Sequence, residues 1–145
     1  MEERKLVTEL HAYLQSQGII NEEVDLVFTY MLQSCFAPEG FVDNSTIFLN
    51  QEELKQYNET LVNVYLHEAG HAIHFFDFRV DWDAQVEEHE EKAIDLRMKY
   101  NEITPEYVAK YKQLPLEATA DILAKELFRQ LKQTTNFLDG VDKYA

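Results

Sequence analysis

The residues with catalytic chemistry lie in one stretch, LVNVYLHEAGHAIHFF, at residues 61–76. It contains His67, Glu68 and His71 in the pattern HExxH. In an α-helix, residues i and i+4 lie on one face, so both imidazoles can reach one metal ion. A carboxylate beside the first histidine can take a proton from a water on that ion, as zinc hydrolysis requires. We therefore expect one Zn²⁺ ion on His67 and His71, with Glu68 as the base.

The residues around this motif predict a buried helix. Almost every other position of the stretch is apolar, and the small residues Ala69 and Gly70 leave room beside the histidines. A buried imidazole needs a partner, and a metal ion is one. The alternative is a buried helix in which hydrogen bonds inside the protein satisfy both histidines.

A third ligand must come from another segment, because a catalytic zinc ion normally takes three protein ligands and one water. The candidates are His74, His89, the acidic run at residues 87–91, and Glu117. Glu117 is favoured, because its immediate neighbours are apolar and a carboxylate there needs a positive partner. Alternatively, Glu117 only stabilises the N-terminus of its helix. His89 is expected in a solvated charged stretch, and His11 at the surface.

Further side chains are predicted around the ion. Asp121 follows Glu117 by one turn, so it can accept an N–H from a ligand imidazole and fix the orientation of that ring. His74, one turn past the motif, is expected beside the site or as a satisfied helix histidine. Tyr107 and Tyr111 are candidate donors to the oxyanion of the reaction, or aromatic core residues.

The remaining apolar patterns predict the helices that position these residues. Apolar residues at helical spacing predict one helix over residues 2–17, ended by Gly18, and another over residues 116–131. A charged stretch with one apolar stripe predicts a solvated helix over residues 82–100. Pro105 begins a shorter helix before the last one.

Strand patterns precede the motif. Residues 24–30 alternate in hydrophobicity and favour a strand over a helix. Residues 41–42 and 46–49 predict a hairpin around residues 43–45. We expect strand 46–49 at the sheet edge, where an extended peptide could pair with it.

Two capping patterns connect the sheet to the motif helix. Asn50 with Glu53 predicts a short helix, and Asn58 is expected to cap the motif helix. The whole chain, residues 1–145, then predicts one domain with a polar, frayed tail from about Thr134. The fold class is α+β, mostly helical, with a small twisted sheet before the HExxH helix.

Composition and charge narrow the function classes. The chain has 145 residues and a formal net charge of −14. That charge argues against direct nucleic-acid binding, and it favours either solubility alone or attraction of a basic substrate. The chain has no long apolar run or signal-peptide pattern, and Cys35 is its single cysteine. We therefore expect a cytoplasmic protein without a membrane span.

HExxH followed by a separate helix carrying Glu and then Asp resembles the gluzincin metallopeptidases. Within that layout, GFVDNSTIFLN before the motif and LEATADILAKELF after it look like the ImmA/IrrE zinc metallopeptidases. The resemblance covers about residues 40–131. It implies a zincin-like domain in which His67, His71 and Glu117 bind zinc and Glu68 is the catalytic acid/base.

The resemblance also implies a zinc endopeptidase whose substrate is a helix-turn-helix repressor of a mobile element or stress regulon. Such basic DNA-binding proteins would suit an acidic protease. The stretch between motif and third ligand is longer than is usual in the family, which predicts an added helical piece at residues 79–113 near the cleft. The alternatives are a non-catalytic zinc-binding interaction or regulatory protein with this fold, and a hydrolase acting on something other than peptides. The intact Glu68 favours an enzyme.

Overall fold

The computed structural model describes residues 2–30, 33–38, 45–52, 60–142 and 144. Within them lies a mostly helical α+β fold with a small sheet before the HExxH helix, which confirms the predicted fold class. None of the described helices is both long and apolar enough to cross a membrane. The elements in chain order are α1 (Glu3–Ser16), β1 (Asp25–Phe28), β2 (Cys35–Ala37), β3 (Thr46–Leu49), α2 (Leu61–Asp77), α3 (Arg79–Lys99), α4 (Pro105–Lys112) and α5 (Pro115–Thr134).

The sheet has the order β1-β3-β2, with β1 parallel and β2 antiparallel to β3. β3 therefore lies between two hydrogen-bonded neighbours, and all four of its residues are buried. The expectation that residues 46–49 form a sheet edge is therefore wrong. The antiparallel partner of β3 is Cys35–Ala37, whereas residues 41–44 of the expected hairpin lie outside the described residues.

The HExxH helix α2 is the centre of the fold. It packs against α1, β2, β3, α3 and α5, and its contact with α5 is the most extensive. Side chains from α1, β3, α2 and α5 form one apolar core around it. The fully buried members of this core include Val7, Leu10, Leu14, Ile47, Leu49, Tyr65, Leu66, Ala69 and Ala124.

A close crossing sets the position of α2 relative to α5. A Cβ atom at Gly70 would overlap the backbone carbonyl of Ala120, so only glycine permits this approach. His67 and His71 flank Gly70 in α2 at positions −3 and +1. Glu117 and Asp121 flank Ala120 in α5 at the same two positions, and the crossing thus brings two histidines against two carboxylates.

The caps differ in part from expectation. The Thr60 side chain accepts the Asn63 backbone N–H at 3.2 Å and caps α2, whereas Asn58 lies outside the described residues. Asn50 Oδ1 accepts the Glu52 backbone N–H at 3.0 Å, but Glu53 is again outside the described part. The predicted starts of the later helices agree better, since Thr104 caps α4 with Pro at its first turn.

His11 is buried, so its expected surface position is wrong. Its Nδ1 lies 2.7 Å from the Tyr65 hydroxyl, and its Nε2 lies 2.8 Å from the Val24 carbonyl. Since a carbonyl only accepts, Nε2 carries the proton and Nδ1 accepts the Tyr65 O–H. This neutral ring ties α1 to the sheet and to the back of the HExxH helix.

The segment after α5 also departs from expectation. Leu138 is fully buried, and the ring of Phe137 packs against Tyr13 with 5.3 Å between centroids. Lys132 Nζ donates to the carbonyls of Leu138 and Val141 at 3.1 and 2.9 Å. Residues 135–142 and residue 144, here called the C-terminal strap, therefore pack on the domain instead of fraying.

Candidate metal centre

Three predicted ligand atoms meet at the crossing of α2 and α5. Glu117 Oε2 lies 2.9 Å from His67 Nε2 and 2.9 Å from His71 Nε2. The two imidazole rings are 4.8 Å apart between centroids and nearly perpendicular. The side chain of Glu117 is only 12% exposed, so solvent does little to weaken this cluster.

Glu68 lies beside these ligands. It is 6% exposed, and one ligand atom from each of His67, Glu68 and His71 falls within 4.8 Å of the others. A carboxylate at this distance can act on a water held between the histidines and the substrate. The structure therefore brings the whole HExxH triplet and Glu117 to one point.

His67 lies between two carboxylates. Its Nε2 faces Glu117, and its Nδ1 lies 3.1 Å from Asp121 Oδ1. A neutral imidazole has one N–H, whereas both nitrogens here face acceptors. Burial lowers the pKa of His67, but the hydrogen bonds to Asp121 and Glu117 and the charge of Glu68 outweigh it and raise the pKa to about 10.

The pKa of Glu117 is shifted in the opposite direction to that of His67. Burial raises its pKa, but hydrogen bonds and the positive charge of His67 and His71 hold the pKa well below its usual range. Two imidazole nitrogens and one carboxylate oxygen are donors that fit Zn²⁺.

Asp121 occupies the predicted position behind a ligand imidazole, and it has a second partner. The Tyr144 hydroxyl donates to Asp121 Oδ1 at 2.7 Å, the same oxygen that faces His67 Nδ1. Burial raises the pKa of Asp121, but these two hydrogen bonds outweigh that effect and lower it. Sequence reasoning missed Tyr144, although the apolar Phe137 and Leu138 are a sign that the tail packs.

His74 is fully buried, but its described hydrogen bond leads away from the ligands. Its Nε2 lies 3.1 Å from Asp81 Oδ2, which also accepts from Gln85 at 2.8 Å. Gln85 in turn accepts from Thr119 at 3.0 Å, and Thr119 lies two residues after Glu117. Its Nε2 is thus tied through α3 to α5, whereas its buried Nδ1 has no hydrogen-bond partner among the described residues.

Trp82 is a second residue that sequence reasoning missed. It is the one buried residue of α3, and its ring stands edge-on to His71, His74 and Phe75 at 6.0, 5.2 and 5.5 Å between centroids. The indole covers the side of α2 that faces α3. Its position as the single tryptophan at the start of a charged stretch was an available signal.

The two candidate tyrosines lie at different distances from the ligands. The Tyr111 hydroxyl lies 3.3 Å from His89 Nε2, and burial, the charge of Glu117 and a hydrogen bond to Glu117 raise the pKa of Tyr111. Tyr107 stacks on the ring of Tyr111 at 6.2 Å, with Arg97 on it at 5.4 Å. Tyr111 is therefore the member at the ligand set, with Tyr107 one ring further out.

His89 is thus not the solvated residue expected from its neighbours. It is partly buried, and its ring stands edge-on to Tyr111 at 5.4 Å between centroids. The hydrogen bond between its Nε2 and the Tyr111 hydroxyl ties α3 to α4. The surrounding acidic residues 87, 88, 90 and 91 are exposed or partly exposed, as a solvated run should be.

No family model, curated protein or solved structure matches the chain. A functional assignment must therefore come from the chemistry of the site, because a fold by itself does not determine function. That chemistry consists of a convergent set of two imidazoles and one remote carboxylate, with a second carboxylate beside them.

Proposed function

We propose that this protein is a zinc-dependent endopeptidase. The observation that carries the proposal is the single Glu117 oxygen at 2.9 Å from both His67 Nε2 and His71 Nε2. With Asp121 facing the other nitrogen of His67, this arrangement calls for a cation between the three side chains. The resemblance of HEAGH and LEATAD to the ImmA/IrrE metallopeptidases supports the same conclusion.

In this proposal His67, His71 and Glu117 hold the ion, and one coordination position stays open for water and substrate. When bound, the ion supplies a Lewis acid that polarises the peptide carbonyl and lowers the pKa of water towards about 7. Asp121 keeps the Nδ1–H of His67 oriented, so that Nε2 points at the ion.

Glu68 moves the proton. Its carboxylate accepts the proton of the attacking water and later delivers it to the nitrogen of the leaving amine. Its burial keeps bulk water from competing for this proton.

Tyr111 is the residue that we propose as hydrogen-bond donor to the oxyanion. Its hydroxyl lies at the ligand set, and His89 holds it from the other side. A preorganised donor of this kind stabilises the charge that develops in the transition state. Tyr107 supports the ring of Tyr111 by stacking and is not assigned a chemical role.

For the substrate we propose a basic, DNA-binding repressor in the cytoplasm. The net charge of −14 favours encounter with a basic protein, and a single cysteine is compatible with a reducing compartment. The piece at residues 79–113, which contains α3 and α4, places Tyr111 and Trp82 against the site. It is therefore the part of the chain that we propose borders the cleft.

The experiment that tests the peptidase compares the wild type with Glu68→Gln, which keeps the side-chain size and the three proposed ligands. Both proteins are loaded with zinc, checked for metal content, and incubated with a helix-turn-helix repressor and with a broad protein panel. We expect wild type to cleave and Glu68→Gln to bind zinc without cleaving. Equal inactivity of both zinc-loaded proteins on the whole panel would refute the peptidase and favour a regulatory zinc-binding protein.

A further inference from the structure

The C-terminal strap reaches the metal centre through one hydroxyl. Tyr144 donates to Asp121 Oδ1 at 2.7 Å, and His67 Nδ1 lies 3.1 Å from that same oxygen. One oxygen thus receives a donor from the strap and a donor from a proposed ligand. The line from Tyr144 through Asp121 and His67 ends at Glu117.

The strap is held on the domain independently of this contact. Leu138 is fully buried, and Phe137 packs against Tyr13 of α1. Lys132 of α5 donates to two strap carbonyls, those of Leu138 and Val141. These anchors lie before Tyr144 in the chain and do not involve its side chain.

The hydrogen bond from Tyr144 restricts the orientation of the Asp121 carboxylate. With one donor, Asp121 can rotate about its side-chain bonds and carry the His67 ring with it. A second donor from a different element fixes the oxygen in position, and a charge-assisted hydrogen bond is roughly twice as strong as a neutral one. The orientation of the His67 ring then depends on the strap as well as on α5.

We propose that Tyr144 is a positioning residue for the metal centre, acting through Asp121 on His67. The strap is then part of the site, although it supplies no ligand. This inference rests on the metal centre of the proposed function, but it needs no peptidase activity and is tested by metal binding alone.

The test is a competition titration of Zn²⁺ against a chromophoric chelator on the full chain, repeated with Co²⁺ by visible absorption. Removing a carboxylate behind a ligand imidazole typically costs about 10–100-fold in metal affinity, which is the expectation for Asp121→Ala. Tyr144→Phe keeps the ring and removes the hydroxyl, so we expect a smaller loss of about three- to tenfold. Its Co²⁺ absorption bands should also shift, because the ring of His67 is reoriented.

Two comparisons separate positioning from packing. Tyr13→Phe removes a hydroxyl from the ring that packs on Phe137, and it should leave metal affinity within about twofold of wild type. In the Asp121→Ala background, Tyr144→Phe should cause no further loss, because the carboxylate through which it acts is gone.

Several results would overturn the assignment. They are wild-type affinity in Tyr144→Phe, an equal loss in Tyr13→Phe, or an undiminished loss in the Asp121→Ala background. A wild type that binds neither ion would remove the metal centre and with it both proposals. A wild type that binds zinc tightly but cleaves nothing would refute only the peptidase.

Discussion

Two histidines, one beside the HExxH helix and one within it, have pKa values shifted in opposite directions. His11 reaches Tyr65 of α2 from α1, while His67 belongs to α2 itself. His11 is the more buried, with 6% of its surface exposed against 24% of the His67 side chain. Burial lowers the pKa of His11, whereas the carboxylates around His67 raise its pKa to about 10.

The types of partner account for this difference. His11 has one donor and one acceptor, the Tyr65 hydroxyl and the Val24 carbonyl, and a neutral ring satisfies both. His67 has two acceptors, Asp121 and Glu117, which a neutral ring cannot satisfy. A histidine between two carboxylates therefore needs a positive charge, either its own second proton or a bound cation, whereas burial alone favours the neutral ring.

The largest expected effect comes from removing one of the two carboxylates that distinguish His67 from His11. Glu117→Ala removes the oxygen that both ligand imidazoles face, so we expect zinc affinity to fall by more than about 100-fold. His11→Gln, on the other side of α2, should leave zinc affinity within about threefold of wild type. Isothermal titration with Zn²⁺ measures both, and a parallel loss in the two variants would contradict the distinction.

A second prediction uses the two tyrosine–histidine pairs, Tyr111–His89 and Tyr65–His11. Tyr111→Phe should lower kcat by about 10²–10³-fold, the typical cost of one oxyanion donor, with zinc affinity kept within about tenfold of wild type. Tyr65→Phe leaves the buried His11 Nδ1 without its donor and should lower the free energy of unfolding by about 1–3 kcal/mol.

Steady-state kinetics and urea unfolding of both variants provide the check on these pairs. If the kcat of Tyr111→Phe matched wild type on a substrate that the enzyme cleaves, Tyr111 would lose its proposed role. A Tyr65→Phe variant as stable as wild type would show that the His11 pair contributes little to folding.

A third prediction concerns the crossing that brings the carboxylates to His67. Helix propensity alone predicts that Gly70→Ala stabilises α2 by about 0.5–1 kcal/mol. The overlap of a Cβ with the Ala120 carbonyl predicts the opposite, a loss of about 1–3 kcal/mol, together with weaker zinc binding as α5 moves away. Thermal unfolding with and without zinc decides between the two signs, and a more stable variant would mean that the helices separate without cost.

The meeting of His67, His71 and Glu117 could be predicted from two features of the sequence. The i, i+4 spacing of HExxH places two ligands on one helix face without knowledge of the fold. Glu117 could be found because a carboxylate among apolar neighbours of a packed helix needs a positive partner, and it lies against both histidines. The small Gly70 was noted as room for the site, but its contact with Ala120 depends on how two distant helices cross.

The errors occurred where the partner is a backbone group or a distant side chain. His11 lies one step off its apolar stripe, and a sequence does not show that the Val24 carbonyl faces it. Tyr144 follows a polar segment without periodicity, although it reaches Asp121. Strand 46–49 is expected at an edge because it lies shortly before the motif, where an extended peptide could pair with it. In the structure it lies between β1 and β2, and its pairing with the distant residues 25–28 and 35–37 is not visible in the sequence.

The smallest expected effect is the contribution of the neutral His11 to the pH dependence of the free energy of unfolding. His11 has a lowered pKa in the folded protein, because burial disfavours its charged form. In the unfolded chain His11 takes up a proton near pH 6.5. The stabilisation that the folded protein gains from a neutral His11 is therefore fully present above that pH and is lost as the pH falls below it. The free energy of unfolding is measured by urea denaturation with a chelator present. Below pH 6.5 we expect that of wild type to fall by up to about 1.4 kcal/mol per pH unit more than that of His11→Gln. Identical slopes from pH 7.5 to pH 5 in the two proteins would show that His11 is charged when folded, and the contrast with His67 would then fail.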